Sequence, residues 1–275
     1  LEEAPILDRS GTRGMSLSEI NSDYLASETA KLIEVQNEVK DDILVLSTDV
    51  TFRHTYVKSY NGFSADLKSS LISEIQALDN VKSVHIANRY EKPEPQMLTS
   101  GGMVNVNSMW DLGYKGEGML VAVLDTGIDY QHQDFVLTNP GNAKLDQNDI
   151  TDLLANNDLA VEEFAASQSL AITAADLYKS SKVPFAFDYA DIDTDPKPDM
   201  TKPQASIHGV HVSGTVAANG NIKGIAPEAQ IATMKIFSDD SPYAYEDDIV
   251  AGIEDAILIG ADVINMSLGA TAGFT

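Results

Sequence analysis

Two residues that carry proton-transfer chemistry stand in distinctive contexts in this chain. Asp125 follows a run of apolar residues and begins the sequence Asp-Thr-Gly, and His208 begins the sequence His-Gly-Val-His. A buried carboxylate can hold an imidazole in one tautomer, and the oriented imidazole can then act as a general base. Together the two residues look like two of the three members of a nucleophilic triad. No serine in a nucleophile context occurs before Thr275, so we expect the nucleophile to lie beyond it.

Asp125 alone has two other interpretations. A strand can simply end at an aspartate, without any catalytic role. Aspartic proteases also use Asp-Thr-Gly, but they pair two carboxylates in an all-β fold. No second Asp-Thr-Gly or Asp-Ser-Gly occurs here, and the alternation of strands and helices described below disagrees with that fold.

His208 also has alternatives. It could begin a helix in which it and His211 only pack, or the two histidines could bind zinc at positions i and i+3. The metalloprotease pattern requires His-Glu-x-x-His and a further ligand, and the sequence His208-Gly-Val-His211 does not match it. A general base at the first turn of a helix is held rigidly and still reaches a cleft. Small residues follow in that helix and allow it to pass close to neighbouring backbone: Gly209, Gly214, Ala217 and Ala218.

Composition excludes several classes of protein. The formal charge is −24, with 42 acidic and 18 basic residues, which argues against nucleic-acid binding and against anionic lipid surfaces. The absence of cysteine excludes disulfides, thiolate metal sites and a cysteine nucleophile. No stretch approaches the roughly 18 apolar residues of a membrane span. Residues 1–5 lack the features of a signal peptide, so a signal for export would have been removed or would lie upstream.

The first part of the chain predicts a small α+β module. Ser16 and Glu19 form a capping-box pattern that predicts the start of a helix, and residues 50–57 and 63–67 predict strands around the turn dipeptide Asn61-Gly62. Residues 69–78 predict a helix and residues 81–86 a strand, which gives the order α-β-β-α-β. Residues 89–104 have the composition of a linker, which marks a domain boundary and a site open to proteolysis.

The rest of the chain predicts a doubly wound α/β fold. Residues 119–124, 231–236 and 261–266 predict buried parallel strands, and residues 207–218 and 247–259 predict the helices between them. We interpret residues 139–203 as a surface insertion that contains short helix near residues 158–179. Asp125 would then lie at the carboxyl end of a parallel strand, where such sheets form their ligand crevices.

Together with residues 265–269 (Asn-Met-Ser-Leu-Gly), these motifs resemble the subtilisin-like serine proteases (peptidase S8), in which the order is Asp, His, Ser. Residues 181–190, 224–230 and 260–269 are similar to lactocepin-like cell-envelope proteinases of Gram-positive bacteria. The resemblance implies that Asp125 orients His208 and that His208 is the general base. It also implies that Ser267, Leu268 and Gly269 bind the main chain of a protein or peptide substrate, and that residues 242–245 form the opposing edge.

The resemblance extends to the first part of the chain. Residues 60–67 and 78–84 are similar to the inhibitory propeptides (inhibitor I9 type) of these enzymes. It implies a ferredoxin-like propeptide over residues 1–95, a linker with a processing site over residues 96–105, and the first part of the catalytic domain over residues 106–275. The propeptide would inhibit its own enzyme, and the mature protein would be secreted or attached to the cell wall.

We expect no cofactor and no metal in the catalytic site, although calcium is a possibility elsewhere. Asp134 matches a calcium ligand of the family, but residues 218–224 form a shorter loop than the calcium-binding version. Asp191-Ile-Asp-Thr-Asp195 begins like an EF-hand loop, but Pro196 follows and Lys202 stands where that loop has glutamate. The alternative is a solvated acidic loop.

A second function remains open from the sequence. The protein could be a non-catalytic binding protein that retains a protease scaffold. The sequence beyond residue 275 would discriminate the two, because a Gly-Thr-Ser-Met-type segment would supply the nucleophile. Intact Asp125 and His208 favour the protease, since a non-catalytic scaffold has no chemical need for them.

Overall fold

The computed structural model describes residues 1–91, 104–156, 159–167 and 170–269. The chain divides into two compact units, residues 1–87 and residues 88–275. Most of the predicted linker over residues 96–105 lies outside the described residues.

The first unit contains a long helix and a β-hairpin. Its elements are a 3-10 helix (Ile6–Asp8), a second 3-10 helix (Leu17–Glu19), α1 (Ser22–Leu46), β1 (Thr51–Tyr56), β2 (Gly62–Asp66), a third 3-10 helix (Ser69–Leu71) and α2 (Ile72–Ile75). The capping box of Ser16 and Glu19 is present, but it caps the short 3-10 helix. The long helix begins later, where the Asn21 side chain accepts from the backbone N–H of Tyr24.

The predicted strand over residues 81–86 is wrong. β1 and β2 pair antiparallel as expected, with Tyr56 opposite Gly62, but residues 81–86 are not in a strand. Val81 is buried with Ile43 and Ile75, so the apolar pattern did reflect burial. The backbone there is bonded by a side chain instead, because Gln76 accepts from the N–H of Val84 and donates to the carbonyl of Lys82. The Gln76 side chain thus forms hydrogen bonds that a neighbouring strand would otherwise form.

The second unit is an α/β structure. Its elements are β3 (Arg89–Glu91), α3 (Val106–Asp111), β4 (Leu120–Asp125), a 3-10 helix (Pro140–Asn142), α4 (Gln147–Ala155), α5 (Ala160–Ser167), α6 (Ala174–Leu177), β5 (Phe185–Asp188), α7 (His208–Ala217), β6 (Gln230–Lys235), β7 (Tyr243–Tyr245), α8 (Glu246–Leu258) and β8 (Val263–Asn265).

A parallel sheet organises this unit and confirms the predicted α/β fold. Within the described residues its strand order is β5-β6-β4-β8, and all three pairings are parallel. Every residue of β4, β5 and β6 is buried, as expected for strands covered on both faces. β3 and β7 form a separate antiparallel ribbon.

The interpretation of residues 139–203 as a surface insertion is wrong in one important respect. The segment contains the short helices expected near residues 158–179, but it also supplies β5, a fully buried strand of the main sheet. Its second half therefore belongs to the core. Its first half is held to the core by Asp255 of α8, whose carboxylate accepts from the N–H groups of Ala160 and Val161 (2.5 and 3.0 Å) at the start of α5.

In the part of the chain that the structure describes, every helix is too short or too polar to cross a membrane.

Candidate active site

Asp125 is the last residue of the central strand β4. Its side chain is buried, with 1% of the residue exposed, and lies at the carboxyl edge of the sheet. One carboxylate oxygen, Oδ1, accepts from the backbone N–H of Thr126 (2.7 Å). The strand fixes the backbone and this hydrogen bond fixes the carboxylate, so the acceptor has a defined direction.

His208 is the first residue of α7, and its ring contacts Asp125. Nδ1 lies 2.8 Å from Oδ1 and 3.0 Å from Oδ2 of the carboxylate, and His208 is 5% exposed. Since a carboxylate can only accept, Nδ1 carries the proton, and in the neutral ring Nε2 is left as the acceptor. An imidazole held in this tautomer can take a proton at Nε2, while the carboxylate stabilises the imidazolium that forms. The predicted contact between the two residues is therefore present.

Thr126 joins the two elements that carry these residues, a role that the sequence analysis missed. Its Oγ1 donates to the carbonyl of Ser206 (2.8 Å) and accepts from the N–H of Gly209 (2.8 Å). One hydroxyl thus links the end of β4 to the first turn of α7. The residue between Asp and Gly in an Asp-x-Gly turn could have been suspected of this role, because a hydroxyl can both donate and accept.

Two glycines allow the strand end and the helix to approach closely. Gly127 has φ +104°, and a Cβ added there would lie 2.2 Å from the carbonyl oxygen of Pro196. A Cβ on Gly209 would lie 2.4 Å from the carbonyl oxygen of Gly127. Both contacts are shorter than any side chain tolerates, so the contact between His208 and Asp125 depends on glycine at both positions.

His211 is not part of this arrangement. It is exposed, one turn along α7 from the buried His208. Among the described residues, no third histidine or carboxylate joins these two histidines in a group that could hold a metal ion. The geometry therefore favours the general-base interpretation of His208 over a zinc pair.

Ser267, Leu268 and Gly269 follow the end of β8. Asn265 of β8 is in register with Val123, two residues before Asp125, so residues 266–269 leave the sheet at the same carboxyl edge as Asp125. The Ser267 hydroxyl donates to Oδ1 of Asn265 (3.1 Å), and Gly269 is exposed. Their position beside Asp125 is compatible with main-chain binding, which remains a prediction.

The region around Asp134 does not fit calcium. The Asp134 carboxylate accepts from the N–H groups of Asn221 and Ile222 (2.7 and 3.4 Å). The ammonium group of Lys223 donates to the carbonyl (3.1 Å) and to Oδ1 (2.6 Å) of Asn219. A cation of the chain already occupies two oxygen atoms of this loop, both of Asn219, whereas calcium needs six to eight oxygen ligands.

The acidic stretch at residues 191–195 does not fit calcium either. Oδ2 of Asp191 accepts from the ammonium group of Lys235 (3.2 Å) and from the N–H of Asp239 (3.1 Å). Oδ1 of Asp193 accepts from the N–H of Asp195 (2.8 Å). These side chains serve an ion pair and a turn, and we assign no reaction step to calcium.

The chain is similar in sequence to several bacterial proteinases. The chain is 35% identical over 259 residues to the PI-type proteinase of Lactococcus lactis subsp. cremoris, covering 90% of this chain and 12% of the relative. It is 29% identical over 271 residues to the minor extracellular protease Vpr of Bacillus subtilis (92% and 28%). It is also 29% identical over 224 residues to subtilisin E of Bacillus subtilis (79% and 44%). The chain thus spans about an eighth of the length of the first of these relatives. Residues 116–274 match the sequence profile of the subtilase family, and the chain belongs to that family.

Proposed function

We propose that this chain is the propeptide and the first part of the catalytic domain of a secreted serine endopeptidase. The observation that carries the proposal is the buried contact between Nδ1 of His208 and the Asp125 carboxylate at the carboxyl edge of a parallel sheet. The PI-type proteinase, the minor extracellular protease Vpr and subtilisin E support the activity, and the extracellular protease Vpr of Bacillus subtilis supports the export of the protein.

The proposed reaction is acyl transfer through a serine that lies beyond residue 275. Nε2 of His208 would take the proton of the serine hydroxyl as the oxygen attacks a peptide carbonyl, and it would return the proton to the leaving amine. Asp125 would hold Nδ1–H toward itself and stabilise the imidazolium in between. This chemistry needs no cofactor.

Two strand edges would bind the substrate. Residues 267–269 would pair with the main chain of an extended peptide on one side, and β7 would pair with it on the other. The pairing of β3 with β7 supports this use, because it brings an extended segment of the chain antiparallel onto β7, with Tyr90 opposite Ala244. The carbonyl of Asn88 also accepts from the N–H of Glu246 (3.0 Å).

The same pairing supports inhibition by residues 1–95. A segment that occupies β7 would keep a substrate strand from binding there until the chain is cut after it. Residues 96–105 would contain the processing site, and the mature protein would act on extracellular proteins or remain attached to the cell wall.

Labelling of the full-length protein with a serine-directed fluorophosphonate tests the proposal. We expect one labelled serine and peptide hydrolysis that stops when it is labelled. In His208→Ala both labelling and hydrolysis should fall to a few per cent of wild type or less, because the serine loses its base. His211→Ala, on the exposed side of the same helix, is the matched control and should behave as wild type. Unlabelled wild-type protein without peptidase activity would favour the non-catalytic scaffold instead.

A further inference from the structure

Beside Asp125, the structure contains a buried ion cluster that the proposed reaction does not use. Asp125, Lys235 and Asp188 are in register across the neighbouring strands β4, β6 and β5. Residues in register on adjacent parallel strands point to the same face of a sheet. The side chain of Lys235 therefore leaves the sheet on the same face as the carboxylate that holds His208.

The ammonium group of Lys235 contacts three carboxylates. Its Nζ lies 2.5 Å from Oδ2 of Asp188, 3.2 Å from Oδ2 of Asp191 and 3.5 Å from Oδ2 of Asp239. The lysine is completely buried. Burial alone would lower the pKa of Lys235, but the three carboxylates raise it, so the side chain stays charged.

Lys235 also lies against the turn that follows Asp125. A Cβ added to Gly127 would lie 2.9 Å from Cδ of Lys235, so the aliphatic part of the lysine packs on this turn. In the described part of the chain, however, no hydrogen bond or ion pair joins Lys235 to Asp125. Lys235 is thus the neighbour of Asp125 on the adjacent strand, but its ammonium group is directed toward other carboxylates.

That direction matters because a cation and an imidazole compete for one carboxylate. An ammonium group on Asp125 would weaken the stabilisation of the His208 imidazolium and would draw the carboxylate from Nδ1. We propose that Asp188, Asp191 and Asp239 act as positioning residues that hold the Lys235 ammonium away from Asp125, so that Asp125 serves His208. This deepens the proposed function and rests on it.

The three carboxylates are themselves fixed, as this role requires. Oδ1 of Asp188 accepts from the N–H groups of Ala190 and Asp191 (3.1 and 3.0 Å). Oδ2 of Asp239 accepts from the N–H of Asp199 (2.9 Å). The backbone of the loops after β5 and β6 thus holds these side chains around the ammonium group. Asp193, in the loop after β5, is a further acidic neighbour of Lys235.

The test compares Asp188→Asn with Asp188→Asn/Lys235→Met in the full-length protein. The single variant removes one negative charge and weakens the hold on the ammonium group, which can then shift toward Asp125 although Asp191 and Asp239 remain beside it. We expect kcat to fall roughly tenfold with KM little changed, the size that one unit charge about 12 Å away produces through an effective dielectric near 20. We also expect the acid limb of the profile of kcat/KM against pH to move to lower pH.

The double variant distinguishes positioning from a merely structural role. Methionine keeps the aliphatic contact with Gly127 and removes the competing charge. We therefore expect kcat to recover to within about threefold of wild type, and the acid limb of the pH profile to return to its wild-type pH. The assays are run at a temperature at which thermal unfolding shows each variant to be folded. If Asp188→Asn does not fold, Asp191→Asn, at a less buried carboxylate, takes its place with the same expectations.

The exposed ion pair between Lys202 and Asp240 (2.9 Å) provides the matched control. Lys202→Met/Asp240→Asn removes a charge pair of the same kind, and we expect kcat and the acid limb to stay as in wild type. Wild-type kcat in Asp188→Asn would overturn the proposal. A double variant as impaired as the single variant would overturn it as well.

A second readout does not depend on peptide hydrolysis. The rate at which diethyl pyrocarbonate modifies His208, followed by peptide mass spectrometry against pH, reports the protonation of the imidazole. Its midpoint should move to lower pH in Asp188→Asn and return in the double variant, and an unmoved midpoint would contradict the positioning role. Absence of peptidase activity from wild type would contradict the proposed function alone, because the midpoint can be measured without it.

Discussion

At the scale of single residues, a few side chains at the end of β4 and the start of α7 determine the geometry of the candidate active site. Asp125 and His208 were predicted from the sequence because both stand at the ends of elements with clear apolar patterns. The hydroxyl of Thr126 and the lysine beside Asp125 were not predicted. Their roles depend on which residues the sheet register and the turn bring together, and no local pattern reports that.

Thr126→Val tests the link between β4 and α7. The change keeps the shape of the side chain but leaves the carbonyl of Ser206 and the N–H of Gly209 without their partner. We expect a loss of about 1–3 kcal/mol in the free energy of unfolding, and a fall in kcat of roughly 10- to 100-fold as His208 shifts. Urea unfolding and steady-state kinetics measure the two effects.

Thr215→Val is the control for this change. The Thr215 hydroxyl donates to the carbonyl of His211 within the same helix and touches neither Asp125 nor the turn after it. We expect its stability to stay within about 0.5 kcal/mol of wild type and its kcat to be unchanged. Equal effects of the two substitutions would contradict the role given to Thr126.

At the scale of elements, the strongly periodic segments were predicted well. The strands β4 and β6 and the helices α7 and α8 lie within one or two residues of the expected bounds, because long apolar runs and amphipathic spacing report them directly. The strand β5 was missed because only four residues form it and Pro184 directly precedes them, so its short apolar run did not stand out within the longer segment. Residues 81–86 show the opposite error, because alternation reports burial and cannot report whether a partner strand exists.

Asp255→Asn tests how α5 is held to α8. Burial raises the pKa of Asp255 from 3.8 to about 7, so the folded protein binds this proton more tightly than the unfolded chain. The contribution of Asp255 to stability therefore falls as pH rises from about 4 to about 7. Asparagine keeps an acceptor and does not titrate. Relative to wild type, its free energy of unfolding should rise across this window by up to a few kcal/mol.

Urea unfolding at a series of pH values measures this difference. Asp176→Asn is the control with the opposite sign, because hydrogen bonds from Thr173 lower the pKa of Asp176. That variant should lose stability relative to wild type as pH rises through about 4. Parallel stability curves for Asp255→Asn and wild type would show that the buried carboxylate does not titrate as described.

At the scale of the whole molecule, the proposal is that one part of the chain restrains another until it is cut. The ribbon of β3 and β7 is the feature that bears on this restraint. The Arg89 guanidinium lies 4.9 Å from the centre of the Tyr243 ring, and Asn88 donates twice to Oε2 of Glu246 (3.0 and 3.1 Å). Because the chain has a net charge of −24, a basic residue such as Arg89 is electrostatically favourable in this ribbon.

Arg89→Glu should therefore hasten maturation of the full-length protein. The substitution removes the contact with the Tyr243 ring and adds a charge in an acidic chain, so we expect the mature form to appear roughly two- to fivefold faster. Mass spectrometry of the new N-terminus and active-site titration follow the conversion. Arg13→Glu makes the same change of charge at an exposed residue and should mature at the wild-type rate. Equal rates for Arg89→Glu and wild type would argue against a restraining ribbon.

The central claim is that Asp125 orients His208 for proton transfer, and Asp125→Asn in the full-length protein tests it most directly. Asparagine has nearly the same shape, but its amide cannot both hold Nδ1–H and stabilise an imidazolium. We predict that kcat for peptide hydrolysis falls by about 10³- to 10⁴-fold, with KM within a few-fold of wild type. A kcat within tenfold of wild type would contradict the account.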